Sequence, residues 1–544
     1  MLLYLENRPI LTIIIFVLLM LGFSISTLDV TIMEARNFIT AREMIEDGNW
    51  ILTTMNGEPR YQKPPLPTWL TALSALVFGL KNLFALRLPA ILMVAVLGVF
   101  SYLLSFKLLN KKTHSLINAL ITITSFYVVA IIIEAPWDIY THGFMLMGIY
   151  YLFQVFEKEN IKNAYILLAS IGIGFSILSK GPISFYALLL PFLMAYGFVY
   201  KFKNFKKKVL PTIIIVLLGL IVGASWYIYV RLADPEALVA IAERETSNWS
   251  SYNVKPFYYY WSFFTQSGLW TIPAFVSLLY PYLKNRVSHL KVYRFSFYWT
   301  IFAVILLSII PEKKSRYLMP VLIPLAINTG FYIEYLIRQF KTLKLKETLV
   351  AYIHFGIIIL LSFVIPIGGF IFLNSETEIN WIVFILDTII LMSIGILMLK
   401  NLVKKEIKNV FILTVIFYIT LFVLGTPYIS SFKNPDYKNI SVLKTELENK
   451  NLKPYAYGKH VAPETMWYYD GKITNIINPD LTFTFPEEQK FVLIASKIYP
   501  ERDSILYKKY HFEFISEYDM NTAKPYTRGH KSRLFNKVYL VTKK

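Results

Sequence analysis

Apolar runs long enough to cross a bilayer recur along most of this 544-residue chain. A membrane helix needs about 20 predominantly apolar residues, and a chain that is 56% hydrophobic supplies such runs repeatedly. Hydropathy predicts about thirteen spans, at roughly 9–28, 88–106, 115–135, 138–156, 163–179, 183–200, 209–230, 258–282, 295–311, 317–336, 348–373, 380–399 and 409–427. The sequence therefore predicts a mostly α-helical, polytopic membrane protein.

Basic residues are concentrated in the loops on one side of these spans, as in Lys107 to Lys112 and Lys201 to Lys208. Basic loops face the cytoplasm, so the acid-bearing loops are predicted to be extracytoplasmic, with the chain in the cytoplasmic (inner) membrane. The net charge of +20 therefore reflects topology and contact with anionic membrane lipids. We exclude nucleic acid as a partner, and the absence of cysteine excludes disulfides and thiol catalysis.

The span pattern predicts a transmembrane domain over residues 1–429. Its first outer loop, 29–87, contains an amphipathic helix expected to lie on the bilayer surface and an Asn56-Gly57 turn. Residues 430–544 alternate shorter strand-like and helix-like runs, at Phe491–Ala495, Lys537–Val541, Pro463–Tyr469 and Pro500–Tyr510. An odd number of spans makes this part a soluble extracytoplasmic α/β domain.

Two carboxylates open helices on the predicted outer side. Glu34 begins the amphipathic helix shortly after Asp29, and Asp138 begins the fourth span. Each has a structural alternative: Thr31-x-x-Glu34 fits a capping box, and an aspartate near a helix N-terminus offsets exposed amides and the helix dipole. A further acid, Asp387, lies inside the twelfth span, where we expect a hydrogen-bonded structural role.

Several cations lie on the outer side, against the orientation rule, at Lys63, Lys180, Lys313, Lys314 and Arg316. A lipid phosphate at the outer bilayer surface would explain them, because lysine and arginine donate charge-assisted hydrogen bonds to phosphate oxygens. The alternative for any single lysine is snorkelling to the interface, which explains the whole set less well.

An ordered series of motifs joins these residues: Met33 to Met44, Gly48-Asn-Trp50, Arg60-Tyr-Gln-Lys-Pro-Pro65, Trp137-Asp138, Leu178-Ser-Lys-Gly181, Pro256-Phe-Tyr-Tyr259 and Pro311 to Pro320. The series resembles the aminoarabinose lipid A transferases and their protein O-mannosyltransferase relatives, which are membrane glycosyltransferases of the GT-C fold. The resemblance covers roughly residues 1–340.

The resemblance implies transfer of a sugar from a polyprenyl-phosphate carrier to a lipid A, glycan or protein acceptor at the outer leaflet, with inversion and without a nucleotide sugar. It implies that the donor phosphate is held by Lys63, Arg244, Arg316 and Tyr317. Further candidate site residues are Asp29, Arg36, Arg60, Lys180, Lys313 and Lys314.

The catalytic residues that we expect are Glu34 and Asp138, but the family's Asp-Glu pair has Met33 in place of its aspartate here. A hydroxyl acceptor needs a general base, whereas a phosphate acceptor is already a nucleophile. The sequence therefore leaves Glu34 or Asp138 as base, or a phosphate as acceptor.

No cofactor is firmly indicated. A glutamate and an aspartate could share a divalent cation, but two ligands are too few to predict a site. The alternative function is a lipid-linked-sugar flippase or transporter, which would place paired charges on broken helices near the midplane; Asp387 alone fits that pattern. A second alternative is a structural protein of the envelope whose loop acids are helix caps.

Overall fold

The computed structural model describes residues 2–22, 25–202, 205–373, 381–457, 461–478, 482–496 and 507–544. The α-helices are, in chain order, α1 Leu2–Asn7, α2 Pro9–Gly22, α3 Ile32–Glu46, α4 Leu66–Phe78, α5 Leu83–Leu109, α6 Lys112–Ile123, α7 Phe126–Glu134, α8 Pro136–Glu157, α9 Asn163–Lys180, α10 Leu190–Tyr200, α11 Phe205–Ala233, α12 Pro235–Ser251, α13 Thr271–Leu278, α14 Tyr280–Leu283, α15 Leu290–Ile309, α16 Leu322–Gln339, α17 Leu345–Leu373, α18 Trp381–Val403, α19 Ile407–Gly425, α20 Ser441–Asn449 and α21 Pro463–Tyr469. The strands are β1 Thr54–Met55, β2 Glu58–Pro59, β3 Pro454–Tyr457, β4 Thr474–Asn475, β5 Lys490–Ala495, β6 Tyr510–Asp519 and β7 Phe535–Lys543.

The helices confirm a mostly α, multi-span membrane protein with a small C-terminal sheet. Within the described ranges, nine helical stretches are long and apolar enough to cross a bilayer, or ten if α6 and α7, bent by 41°, form one span. Two shorter apolar helical segments, α4 and Phe185–Tyr200, lie among them. The count of about thirteen spans stays a prediction.

The segment predicted as a span at 258–282 is not one continuous helix. It consists of the 3-10 turns Phe257–Tyr260 and Phe263–Trp270, followed by the short helices α13 and α14. Gly268 has a φ of 66°, a left-handed conformation that interrupts a helix and that glycine adopts readily. Pro281 at the start of α14 lacks the N–H needed to extend the helix before it.

Two compact units make up the structure. The first, which we call the membrane unit, comprises Met1–Thr27 and Tyr61–Pro427. The second, the sheet unit, comprises Leu28–Arg60 and Tyr428–Lys544. The span pattern assigned the whole loop 29–87 to the transmembrane domain, whereas the structure groups residues 28–60 with the C-terminal part of the chain.

In the membrane unit, α8 and α9 run antiparallel and approach closely. A Cβ added at Gly172 would lie 2.6 Å from the backbone nitrogen of Gly148, so only small residues permit this spacing. One turn farther along α9, the Ser176 hydroxyl donates to the Thr141 carbonyl at 2.6 Å. The crossing fixes the N-terminal end of α8 beside the C-terminal end of α9.

The sheet unit is a five-stranded mixed sheet of order β4-β3-β5-β7-β6. Strand β3 is parallel to β4 and β5, while β7 is antiparallel to β5 and β6. The predicted strands at 491–495 and 537–541 and the predicted helix at 463–469 are present. Of the predicted helix at 500–510, residues 500–506 lie outside the described part of the chain.

Helix α3 belongs to the core of the sheet unit. Ile39 is fully buried in the cluster that includes Val492 and Val538, and the Phe38 ring lies 5.3 Å from that of Trp467. The expectation of a helix lying on the bilayer surface is wrong, because its polar side chains are buried too. Arg42, for example, is 2% exposed and donates to Asp470 at 3.2 Å.

The Asn56-Gly57 turn is confirmed. Both residues have positive φ, 59° and 79°, and they join β1 to β2 as a tight hairpin. The buried carboxylate of Glu43 accepts hydrogen bonds from the Asn56 N–H at 2.5 Å and the Thr54 hydroxyl at 2.5 Å. The hairpin thus supplies hydrogen-bond donors to an acid that is buried inside the unit.

Candidate active site

The centre of the candidate site is an ion pair between two helix ends of the membrane unit. Lys180, the last residue of α9, donates its ammonium to Oδ1 of Asp138 in the first turn of α8. The two side chains are 12% and 3% exposed. The dipoles of the two helices favour these signs of charge at these ends. Asp138 therefore has a charged partner, and Ala135, not Asp138, occupies the N-cap position of α8.

The loop after α15 forms the second wall of the site. Its backbone pairs with the segment after α12: the Lys313 N–H donates to the Asn253 carbonyl at 3.1 Å, and the Lys255 N–H donates to the Pro311 carbonyl at 3.2 Å. The buried Tyr260 hydroxyl accepts from the Lys314 N–H and donates to the Lys314 carbonyl, each at 3.0 Å. The loop is thus held in one conformation.

Tyr317 links the loop to the ion pair. The ammonium of Lys180 lies 5.3 Å from the centre of the Tyr317 ring, that of Lys314 5.6 Å, and the guanidinium of Arg316 5.8 Å. All three distances are in the range of cation–π attraction. The structure therefore brings Asp138, Lys180, Lys314, Arg316 and Tyr317 into one cluster.

Glu312 neutralises part of this charge. It pairs with the Lys314 ammonium at 2.5 Å and accepts from the Tyr317 hydroxyl at 3.3 Å. Burial disfavours the charged form of Lys314 and acts to lower its pKa. The hydrogen bond with Glu312 and the nearby charges together outweigh burial, so the pKa of Lys314 is raised overall. Lys314 therefore remains a cation at neutral pH.

Two polar atoms of the cluster are buried without a hydrogen-bond partner among the described residues: Oδ2 of Asp138 and Nε of Arg316. Burying such groups unpaired costs about 1–3 kcal/mol each. His142, one turn after Asp138 on α8, also has a buried, unpartnered Nδ1 within that part of the chain. Buried acceptor and donor atoms without partners mark a place where a polar ligand can bind.

Lys313 differs from its neighbours. Its ammonium donates to the Ile310 carbonyl at 2.6 Å and to the Lys255 carbonyl at 3.0 Å, and the side chain is buried. Burial lowers its pKa. Lys313 thus fastens the loop to the segment after α12.

Four of the sequence candidates belong to the sheet unit: Asp29, Glu34, Arg36 and Arg60. Glu34 forms the capping box with Thr31: its carboxylate accepts from the Thr31 N–H at 3.0 Å, and its own N–H donates to the Thr31 hydroxyl at 3.3 Å. The structural alternative for Glu34 is therefore present in full. Asp29 pairs with Lys433 at 2.7 Å.

Arg60 is buried and donates to the Thr40 hydroxyl at 2.9 Å. Burial, assisted by the charge of Arg36, lowers the pKa of Arg60 to about 9. The negative charge of Glu43 acts in the opposite direction and raises the pKa of Arg60 in part.

The remaining candidates are Lys63 and Arg244, both in the membrane unit. Lys63 is partly buried in the segment before α4. Its neighbour Tyr61 donates to Asp234 at 2.8 Å, and burial together with that acid raises the pKa of Tyr61. Arg244 is exposed on α12, and no hydrogen bond or ion pair of the described residues joins its side chain to the cluster.

Sequence reasoning did not single out Glu312, Tyr260 or His142 as site residues. Glu312 and Tyr260 lie within or beside the motifs that carried the resemblance, so the signal was present. His142 follows Asp138 by four residues, the spacing that places two side chains on one helix face. In the ranges that the structure covers, no group of three or more acids and histidines that could hold a metal ion is found.

A match to a known protein family covers the part of the chain that contains Asp138 and Lys180. The profile of the family described as dolichyl-phosphate-mannose-protein mannosyltransferase matches residues 62–229, which include Lys63, Asp138 and Lys180. An uncharacterised protein of Aquifex aeolicus (strain VF5) is 27% identical over 309 residues, or 54% of this chain and 58% of that protein.

The undecaprenyl phosphate-alpha-4-amino-4-deoxy-L-arabinose arabinosyl transferase of Enterobacter sp. (strain 638) is 24% identical over 327 residues, or 58% of this chain and 57% of the relative. The chain thus spans somewhat more than half the length of the curated relatives it matches. Among solved structures, ArnT from Cupriavidus metallidurans bound to undecaprenyl phosphate aligns over 99% of this chain and 97% of its own, with a TM-score of 0.66 at 14% identity.

The fold and the cluster at the helix ends define a polytopic membrane protein of the GT-C class. Over part of its length, the chain is similar in sequence to the dolichyl-phosphate-mannose-protein mannosyltransferases and to the aminoarabinose transferases. The resemblance drawn from the sequence is confirmed, whereas the roles of individual site residues stay predictions.

Proposed function

We propose that this chain is a membrane glycosyltransferase that moves a sugar from a polyprenyl-phosphate carrier to an acceptor on the outer face of the cytoplasmic membrane. The observation that carries the proposal is the cluster around Tyr317, where Lys180, Lys314 and Arg316 surround one ring and Lys180 also pairs with the buried Asp138 at the ends of two membrane helices. The fold of a polyprenyl-phosphate-binding relative supports it.

The chemistry is a substitution at the anomeric carbon of the sugar. A new bond forms between that carbon and an acceptor oxygen, and the bond from the carbon to the carrier's phosphate oxygen breaks. The electron pair leaves with the polyprenyl phosphate, whose negative charge increases. Preorganised cations at such a developing charge lower the barrier strongly, and we assign this role to Lys180, Lys314 and Arg316, with Lys63 as a further phosphate ligand.

For the acceptor, we favour a phosphate, such as one on lipid A, over a hydroxyl. Asp138 already accepts from an ammonium and the Glu34 carboxylate from the Thr31 N–H, so an oxygen of each acid is engaged and cannot take the proton of an acceptor hydroxyl as a general base. A phosphate needs no base, because it is already an anionic nucleophile. Asp138 then orients Lys180, and its free Oδ2 can accept a hydrogen bond from the sugar.

We further propose that no divalent cation resides at this site. One oxygen of Asp138, Oδ1, is paired with the Lys180 ammonium, and Glu312 is paired with Lys314. A metal ion at either acid would lie beside a lysine ammonium, which electrostatic repulsion opposes. Transfer that is unaffected by a chelator is the expected result.

The test is transfer of labelled sugar from native lipid extract by the purified full-length protein. Asp138→Asn is expected to lower the rate by at least about 100-fold, whereas Glu236→Gln, an exposed acid of α12, retains it. Analysis of the labelled product identifies the acceptor. Full transfer by the Asp138 variant would remove this cluster from the mechanism, and movement of lipid-linked sugar across proteoliposomes without transfer would favour the flippase alternative.

A further inference from the structure

At the opposite end of α15 from the candidate site, the membrane unit contains a basic cavity. It has a volume of about 720 Å³ and is lined by Phe198, Val199, Lys201, Tyr280, Leu290, Lys291, Arg294 and Tyr298. Helix α15 has 20 residues and, at about 1.5 Å per residue, is about 30 Å long, which is the thickness of the hydrocarbon core. The cavity is thus one bilayer thickness from the cluster around Tyr317.

The lining divides into a charged part and an apolar part. The charged part consists of Lys201, Lys291 and Arg294, and none of the eight lining residues is acidic. The apolar part includes the exposed Phe198, whose ring packs 4.6 Å from that of Tyr298, and the exposed Leu290. Positive charge beside exposed aromatic and aliphatic surface matches a molecule with an anionic head and a hydrocarbon tail.

Aromatic groups hold two of the cations in place. The Arg294 Nε donates to the Tyr280 hydroxyl at 2.8 Å, and the Lys291 ammonium lies 4.3 Å from the centre of the Tyr200 ring. Neither interaction neutralises a charge. By contrast, Arg286 in the preceding loop is paired with Glu347 at 2.9 Å.

We infer that this cavity binds the phosphate headgroup of an anionic phospholipid of the inner leaflet. Basic residues at the predicted cytoplasmic end of the spans face the leaflet in which such lipids act, and basic pockets between membrane helices recognise such headgroups. The site is separate from the proposed sugar transfer, because it lies at the other end of α15. A bound lipid stabilises the junction of α10 and α15.

The test compares thermal stabilisation of the purified full-length protein by phosphatidylglycerol, phosphatidylcholine and inorganic phosphate. Phosphatidylglycerol is expected to raise the unfolding temperature in a saturable manner, and the other two are not. In the double variant Lys291→Ala with Arg294→Ala, the apparent affinity is expected to fall about 30-fold, since each basic residue near an anionic headgroup contributes roughly a factor of five.

The matched control is Lys344→Ala with Lys346→Ala, which removes two exposed lysines from the loop before α17 and its first turn. An equal loss of apparent affinity in this control would show that the effect depends on overall positive charge and not on this cavity, and it would overturn the proposal. Equal stabilisation by phosphatidylcholine or by inorganic phosphate would also overturn it, the latter in favour of a site for the free ion. If the double variant does not fold, Lys291→Gln, which leaves the Arg294–Tyr280 bond intact, is measured in its place.

Discussion

Lys180 closes helix α9 with its ammonium directed at Oδ1 of Asp138, 42 residues earlier in the chain and in the first turn of α8. The pair is buried, and its second carboxylate oxygen has no partner in the described ranges. A buried ion pair contributes little net stability relative to an apolar pair, but the loss of one partner leaves an uncompensated charge. The arrangement is therefore better explained by function than by stability.

Asp138→Asn and Lys180→Ala are each expected to reduce sugar transfer by at least about 100-fold. The double variant is expected to lose little more than either single variant, because the two groups act as one unit. Rates of transfer from labelled carrier, measured on protein with matched thermal unfolding, provide the check. Additive losses would show that the two residues contribute separately.

Adjacent lysines of the loop after α15 are expected to behave differently. Lys314→Gln removes a cation beside Tyr317 but keeps a hydrogen-bond donor for Glu312, so it is expected to lower kcat/KM with little change in unfolding temperature. Lys313→Ala leaves two backbone carbonyls without their donor and is expected to cost about 1–3 kcal/mol of stability. Parallel melting curves and transfer assays distinguish the two, and the reverse pattern would contradict both assigned roles.

Glu34 can be tested with two substitutions because glutamine also completes a capping box. Glu34→Gln removes the charge and keeps the cap, so transfer and stability are both expected to persist. Glu34→Ala removes the cap and is expected to cost about 0.5–2 kcal/mol. If instead Glu34→Gln abolishes transfer in a protein with unchanged melting, Glu34 is the general base.

The close approach of α8 and α9 predicts intolerance at Gly172. Gly172→Ala places a methyl group 2.6 Å from the Gly148 nitrogen and is expected to destabilise the protein by about 1–3 kcal/mol, with reduced transfer as Asp138 and Lys180 separate. Gly356→Ala in α17 is the control, because a Cβ there meets no described atom within 4 Å. Differential scanning calorimetry of both variants tests the prediction.

Acid sensitivity is predicted for Asp519 in the sheet unit. Burial opposes ionisation of this aspartate, but hydrogen bonds from Asn521 and His530 outweigh it and lower its pKa. A lowered pKa in the folded state contributes stability above the unfolded value of about 3.9, and this contribution disappears as the pH falls through the folded pKa. Asp519→Asn is therefore expected to flatten the decline of the unfolding temperature below about pH 4. Glu513 is exposed on the same strand, and the control variant Glu513→Gln is expected to leave that decline unchanged.

Local structural features could be predicted from the sequence. The membrane helices, the turn at Asn56, the capping box of Glu34 and the helix Pro463–Tyr469 each depend on residues a few positions apart. Hydropathy, side-chain periodicity and cap chemistry encode such features directly. The similarity to the aminoarabinose transferases was predictable for a related reason, since the motifs that carry it are short and occur in a fixed order.

Tertiary structure decided which of these pieces meet. It paired Asp138 with Lys180, fastened Lys313 to the backbone at Lys255 and placed residues 28–60 in the core of the sheet unit. No local pattern specifies contacts over such separations, because they depend on helix packing and on which buried polar groups can satisfy one another. The sequence by itself determined a multi-span membrane protein with basic and acidic candidates, and only the packing of α8, α9 and the loop after α15 selected the residues that share one site.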